Sequence, residues 1–366
     1  MQVERIHDLD ALRQLTDQWN CLSRGVPFRS HQWLASWWEN YRAEGELYLL
    51  AVRSNETLVG LAPWYRARSL ANGLVLRQLG SGEVCTDYLS LLATEEHEKR
   101  VVSAIADWLV NEDNTWDFLE LTGVDESDQM TANLVARLEA GGCGLHQQPG
   151  LNCWRIDLPE TWEEYVASLS KSHRKQVRRV ERRLLDEGRA VLNTAESGEQ
   201  LTQAMEILVD LHQRRRKSLG EPGCFASDRF SAFLHQAAER LFDKGLLRLH
   251  WVELDDRAVA AEFHVCGGGV TYAYQAGVDP DAMDDEPGRL INIATIKAAI
   301  EDQQQAFDFL RGDEPYKAHW RAQCRPAVEY RVAANHATAQ LRHAVWLAGT
   351  RMKDWIKDSL SFVGAH

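Results

Sequence analysis

The segment Leu247–Val265 reads LRLHWVELDDRAVAAEFHV, and its alternation of apolar and polar residues about Asp255-Asp256 predicts a β-hairpin. An earlier segment, Leu47–Tyr65, reads LYLLAVRSNETLVGLAPWY and has the same build. Leu47, Leu49, Val52 and Val59 find matching residue types at Leu247, Leu249, Val252 and Val259. Downstream, Asp117-Phe118-Leu119 is echoed by Asp308-Phe309-Leu310. Matches in the same order and at nearly the same offset imply a duplication, and therefore two similar domains side by side.

Composition agrees with that reading. The 366 residues suit two domains of ordinary size, and a 45% apolar fraction with thirteen Trp supplies a packed core. A net charge of -13 argues against a general nucleic-acid binder, so no DNA partner is expected. Seven scattered Cys without a C-x-x-C pair predict reduced thiols in a cytoplasmic protein, and no structural metal. MQVERIHDLD at the N-terminus lacks a signal-peptide core, and no run has membrane-spanning length, so no stable membrane insertion is expected.

Along the chain, each half opens with helices and continues into strands. Leu9, Leu12, Leu15 and Trp19 share one helical face behind an Asp8 cap, and Trp33, Trp37, Trp38 and Tyr41 line a second helix. The first hairpin follows, with strands expected near 75–79, 87–92 and 116–121 and a closing strand region over 145–158. In the second half, Thr161 and Glu164 form a capping box, and a basic helix is expected from about Ser172 to Gly188. Three strands then lead to a helix beginning at Pro287-Gly288, followed by a buried strand over 306–310. Helices, a three-strand meander, then helix and strand describe a mixed α+β sheet within the α/β class. The expected division is 1–158, 159–335, and an amphipathic helix over 336–366. Leu341, Val345, Ala348, Met352 and Trp355 form that helix's apolar stripe, which should dock on the body or on a second subunit in a homo-oligomer.

Several constellations can carry chemistry. The stretch Phe307–Trp320, FDFLRGDEPYKAHW, turns from an apolar strand into a charged loop offering Asp308, Arg311, Asp313, Glu314, Tyr316 and Lys317. Strand tips of this kind are where α/β proteins place reactive groups, although charged turns are also common. Glu262 and His264 share one strand face, a pairing suited to a general base or to a satisfied structural pair. Tyr272, Tyr274 and Gln275 on the next strand could line the same cleft. Pro287, Gly288, Arg289 and Leu290 start a helix whose unpaired N–H groups suit a pyrophosphate. Upstream, Asp279, Asp281, Asp284, Asp285 and Glu286 would repel one unless they point away. Lys171, Arg174, Lys175, Arg178, Arg179, Arg182 and Arg183 crowd one helix, a density of like charge that calls for a partner. Arg214-Arg215-Arg216-Lys217 is a second such cluster.

Taken together, KSHRKQVRRVERRLLDEG (171–188), YAYQAGVDP (272–280), PGRLINIATIKAAI (287–300) and FDFLRGDEPYKAHW (307–320) resemble the GNAT superfamily of acyltransferases. The resemblance is strongest to the branch associated with cellulose and exopolysaccharide biosynthesis, which shares a tandem fold with Fem-type aminoacyltransferases. It implies two tandem GNAT-like domains and transfer of an acyl group from acetyl-CoA or another acyl-CoA to an amine of a sugar, polysaccharide precursor or small metabolite. The implied pyrophosphate loop falls at Pro287–Leu290, where the usual Gln/Arg-x-x-Gly-x-Gly/Ala pattern is missing. An aminoacyl-tRNA donor is therefore the alternative, and a non-catalytic component of a polysaccharide synthesis complex is a second. The implied roles are Glu262 or Asp308 as base and Tyr316 as acid. Arg311, Asp313, Lys317, Arg178 and Tyr274 would bind substrate. No counterpart of RGDEPYK follows Asp117-Phe118-Leu119, so activity is expected in the second domain.

Overall fold

The computed structural model describes residues 1–363, with side chains described through residue 350 except that of residue 113. Its strands are β1 (Gln2–Ile6), β2 (Glu46–Ser54), β3 (Thr57–Ser69), β4 (Gly73–Gln78), β5 (Leu92–Ala93), β6 (Phe118–Asp125), β7 (Gly144–Pro149) and β8 (Cys153–Asp157) in the first part of the chain. They continue as β9 (Ala190–Thr194), β10 (Leu247–Leu254), β11 (Arg257–Gly267), β12 (Val270–Val278), β13 (Ala306–Arg311), β14 (Gln323–Arg325) and β15 (Ala327–Ala333).

These strands build two sheets of the same plan. The first runs β1-β2-β3-β4-β6-β15-β7 with β5 beside β3, and the second runs β9-β10-β11-β12-β13-β8-β14. Both quoted hairpins form, as β2–β3 and β10–β11, with turns at Asn55-Glu56 and Asp255-Asp256 that take the positive φ such two-residue turns require. Each sheet contains one parallel pair, β4–β6 and β12–β13. The register places Glu120 opposite Arg77 in the first and Asp308 opposite Tyr272 in the second. Asp308 therefore corresponds to Glu120, and the sequence echo with Asp117 is out of step with the pairing.

The expected boundary at 158 does not follow the sheets. β8 was expected to close the first domain but pairs with β13 in the second sheet, while β15 pairs with β6 and β7 in the first. Each sheet is completed by a strand lying beyond the other's end, which ties the halves together. They also share one core: Trp33 packs edge-on against Phe233 and Tyr274 at 4.9 Å each, and Phe28 against Tyr272 at 5.3 Å. The tryptophan helix His31–Tyr41 is buried on nearly every side because it lies between the two sheets.

Three local expectations change. Residues 87–91 form no strand; only Leu92–Ala93 pairs, and the preceding loop crosses to the second half. The basic helix is α-helical over Lys171–Val180 and continues as a π-turn over Glu181–Asp186. The C-terminal helix Ala337–Val363 docks through Ala339, His343 and Trp346, not through the expected stripe. Trp346 meets His146 at 4.9 Å and lies under Arg331, whereas Leu341 and Val345 are 67% and 66% exposed. Met352 and Trp355 lie outside the described side chains.

Candidate active site

Strands β12 and β13 pair only at Val270, Thr271 and Tyr272 against Ala306, Phe307 and Asp308. Beyond Tyr272 and Asp308 they diverge, leaving a wedge between Ala273–Val278 and Phe309–Arg311. Ala276, in mid-strand, is exposed because β13 no longer covers that edge. A register shift between Phe263 and His264 places a bulge in β12 at Tyr274, beside the wedge. Past Val278, the chain turns into the helix Pro287–Glu301, whose N-terminus stands at the wedge's wide end.

Asp308 sits at the apex, fully buried on the face turned toward the first half. It accepts hydrogen bonds from the Tyr88 hydroxyl at 2.5 Å and from the Leu310 N–H at 2.7 Å. Burial raises its pKa to about 6, against the opposing pull of the Tyr88 hydrogen bond. Tyr88 comes from the loop of the first half that the sequence reading had taken for a strand. Tyr88, Cys85 and Leu310 all have positive φ, a strained backbone for such residues. Arg29 holds the loop by donating from Nε to the Tyr88 carbonyl at 2.6 Å.

Glu262 lies on the opposite face. Its carboxyl is 2.7 Å from His264 Nε2 and 3.2 Å from Thr295 Oγ1 of the Pro287 helix. Tyr316 lies on that same side, edge-on to Phe309 at 5.9 Å and 45% exposed. Its phenol is pushed up by burial and by the nearby Glu262 charge. The fold thus brings Glu262 and Tyr316 together and separates both from Asp308 by the thickness of the sheet.

The other expected site residues are engaged within the protein. Lys317 is 2% exposed, and its Nζ donates to the carbonyls of Leu310, Arg311 and Gly312 at 2.9–3.1 Å, with Glu314 at 2.9 Å. It ties down the RGDE turn and offers little to a substrate. Arg311 binds Asp87 at 2.7 Å and the Thr86 carbonyl at 3.0 Å, linking the two halves. Asp313 accepts from Asn152 and Trp154 at 3.1 and 3.0 Å. Tyr274 is part of the shared core, and its hydroxyl donates to the Val84 carbonyl at 2.8 Å. Arg178 pairs with Glu181 at 3.0 Å.

At the Pro287 helix, Arg289 and Leu290 both donate to the Glu286 carbonyl, and Pro287 has no N–H. That leaves the Gly288 N–H as the first-turn donor without a main-chain partner among the described residues. A side chain added at Gly288 would meet nothing nearer than Val278 at 3.9 Å, so the approach is open. The acidic run is neutralised from both basic clusters: Asp279 by Arg214 and Arg257, Asp285 by Arg183, and Glu286 by Arg179 and Arg289. Of the basic helix, Arg178, Arg179 and Arg183 thus pair with acids of the protein itself.

In the first half, the residue matching Asp308 is Glu120, which is held by Arg77 and Arg331. Arg331 in turn lies over the ring of Trp346 of the C-terminal helix. Sequence reasoning missed Tyr88, Arg29 and Arg155, because none carries a motif; a turn-rich GSGEVCTDY was the only signal for the loop.

Residues 171–318 match the acetyltransferase (GNAT) domain family. No curated protein matches the chain in sequence. Among solved structures, FemX superposes with a TM-score of 0.63 at 12% identity, covering 93% of this chain and 99% of FemX. A protein of unknown function from Bacteroides thetaiotaomicron gives 0.56 at 11% identity, over 91% and 99% of the two chains. The C-terminal domain of a protein described as a lysylphosphatidylglycerol synthetase, from Agrobacterium fabrum, gives 0.55 at 9% identity, over 93% and 97%. The chain therefore has the tandem GNAT/Fem-type fold. No helix among the described residues is long and apolar enough to cross a membrane.

Proposed function

We propose that the wedge between β12 and β13 transfers an acyl group from a CoA thioester to an amine on a sugar, polysaccharide precursor or small metabolite. The carrying observation is Asp308 at the wedge apex, a buried carboxyl that changes charge near neutral pH. Asp308 takes the proton from the attacking amine on the face toward the first half. Tyr316, on the other face, protonates the departing sulfur. Glu262 and His264 line the acid's side and set its surroundings. The edge of β12 that β13 leaves uncovered beyond Tyr272 would present main-chain N–H groups to an oxyanion. The thioester supplies an activated acyl carbon, and the Gly288 N–H would hold its diphosphate at the Pro287 helix.

An aminoacyl donor is the second reading, favoured by the likeness to FemX over almost the whole chain. Against it, Arg179 and Arg183 of the basic helix are occupied by Glu286 and Asp285 rather than open to RNA.

Thermal melting of the full chain with acetyl-CoA, longer acyl-CoAs and free CoA tests the proposal. At about 100 times its Kd a ligand adds roughly 2.7 kcal/mol. The expected outcome is a rise in Tm that Gly288→Glu abolishes. No rise with any thioester would sink the CoA reading.

A further inference from the structure

Three residues stand side by side across the second sheet on the face toward the first half. Asp308 pairs with Tyr272 on one side and with Arg155 of β8 on the other. Directly paired residues share a face, with Cβ atoms about 5 Å apart. The Arg155 side chain makes no hydrogen bond among the described residues; its Nε is buried and has only an ion-pair contact with Asp157, at 3.8 Å. The Tyr272 hydroxyl likewise has no partner among the described residues.

The first half brings a second arginine to the Tyr272 end of this row: Arg29 follows Phe28, which packs on Tyr272 at 5.3 Å, and it bonds to Tyr88, whose ring lies 5.7 Å from Tyr272. Arg29 uses only Nε, on the Tyr88 carbonyl, and its two terminal nitrogens have no partner among the described residues. It is largely buried, and burial lowers its pKa, the mark of a guanidinium removed from water without a bound carboxylate. The nearest acids are already taken: Asp125 by Arg325 and Ser127, and Asp128 by the Met130 N–H and the Thr131 hydroxyl. A poorly solvated guanidinium without its hydrogen bonds is costly, and the planar fork suits a carboxylate or phosphate.

We infer that Arg155 and Arg29 bind an anionic group, carboxylate or phosphate, on the acceptor, within a few bonds of the amine presented to Asp308. This rests on the acyl-transfer reading for the amine, but the anion site itself does not. The acceptor would then be complementary to the row: amine on Asp308, anion on the arginines, with the first half forming the opposite wall. Neutral amines of the same size would lack the second contact.

The test is calorimetric titration of the full chain with L-glutamate as the carboxylate probe and glucosamine 6-phosphate as the phosphate probe, with glucosamine as the neutral control. One anionic probe should bind, and binding should weaken at least about ten-fold in Arg155→Met, which removes no hydrogen bond of the fold. Arg29→Lys, which keeps charge but loses the fork, should weaken it too. Retained stabilisation by CoA in both variants would show that they fold. Failure of both probes to bind, or equal binding by Arg155→Met, overturns the inference. The turnover arm is separate. Binding of an anionic probe without acetyl transfer to any amine would leave the anion site standing and remove the acyl-transfer reading. Preferential acetylation of glucosamine over its phosphate, with unchanged preference in Arg155→Met, would overturn the acceptor assignment.

Discussion

The hydroxyl of Tyr88, in the first half, donates to the carboxylate of Asp308, in the second, at 2.5 Å. This bond joins the two halves at the wedge apex and sets the environment of the proposed base.

Asp308→Asn should lower acyl transfer about 10²–10⁴-fold, the usual contribution of a positioned base. In wild type, kcat/KM should rise with pH through about 6, because the base works only when deprotonated. Stability should move the other way. The folded-state pKa lies above the ordinary 3.8, so the neutral form favours folding. That contribution is fully present below the unfolded value and is lost as pH rises from about 4 through about 6, by at most about 3 kcal/mol. Denaturant melts of wild type and Asp308→Asn at pH 4 and 7 check this: the loss should be absent from the variant.

Tyr88→Phe removes the hydrogen bond that holds the Asp308 pKa down. The acidic limb of the rate profile should shift to higher pH, with a stability cost of about 1–3 kcal/mol for the unsatisfied carboxyl. An unshifted limb in pH–rate measurements would remove Tyr88 from control of the base.

Lys317→Met should cost about 3 kcal/mol or more, because three carbonyls of the RGDE turn lose their shared donor. Urea unfolding reads this directly. A variant as stable as wild type would show that the buried amine does not hold the turn.

Glu120→Gln disturbs the matching position of the first half, where the acid only neutralises Arg77 and Arg331. It should reduce stability by about 1–3 kcal/mol and leave kcat unchanged. A large fall in kcat would place chemistry in the first half.

Local pattern made the architecture legible. Alternation about Asn55-Glu56 and Asp255-Asp256 gives the hairpins, because side chains in a strand have a period of two. The Pro287-Gly288 helix start and the abrupt change from Phe307–Leu310 to Arg311–Lys317 fall at the end of the second sheet where β12 and β13 diverge. They could not show which of those charges face a cleft. Lys317 has the same sequence character as a substrate-binding lysine, yet it points inward to three carbonyls because the turn closes around it.

What the sequence by itself determined is therefore the doubled α/β plan and most of its elements, since each follows from residues near one another in the chain. The tertiary structure alone decided the exchange of β8 and β15, the opposite faces of Asp308 and Glu262, and the approach of Tyr88 and Arg155 to one carboxylate. These depend on strand register and on packing between the halves, where a one-residue shift turns a side chain to the other face. No local pattern records that choice; burial of the shared core makes it.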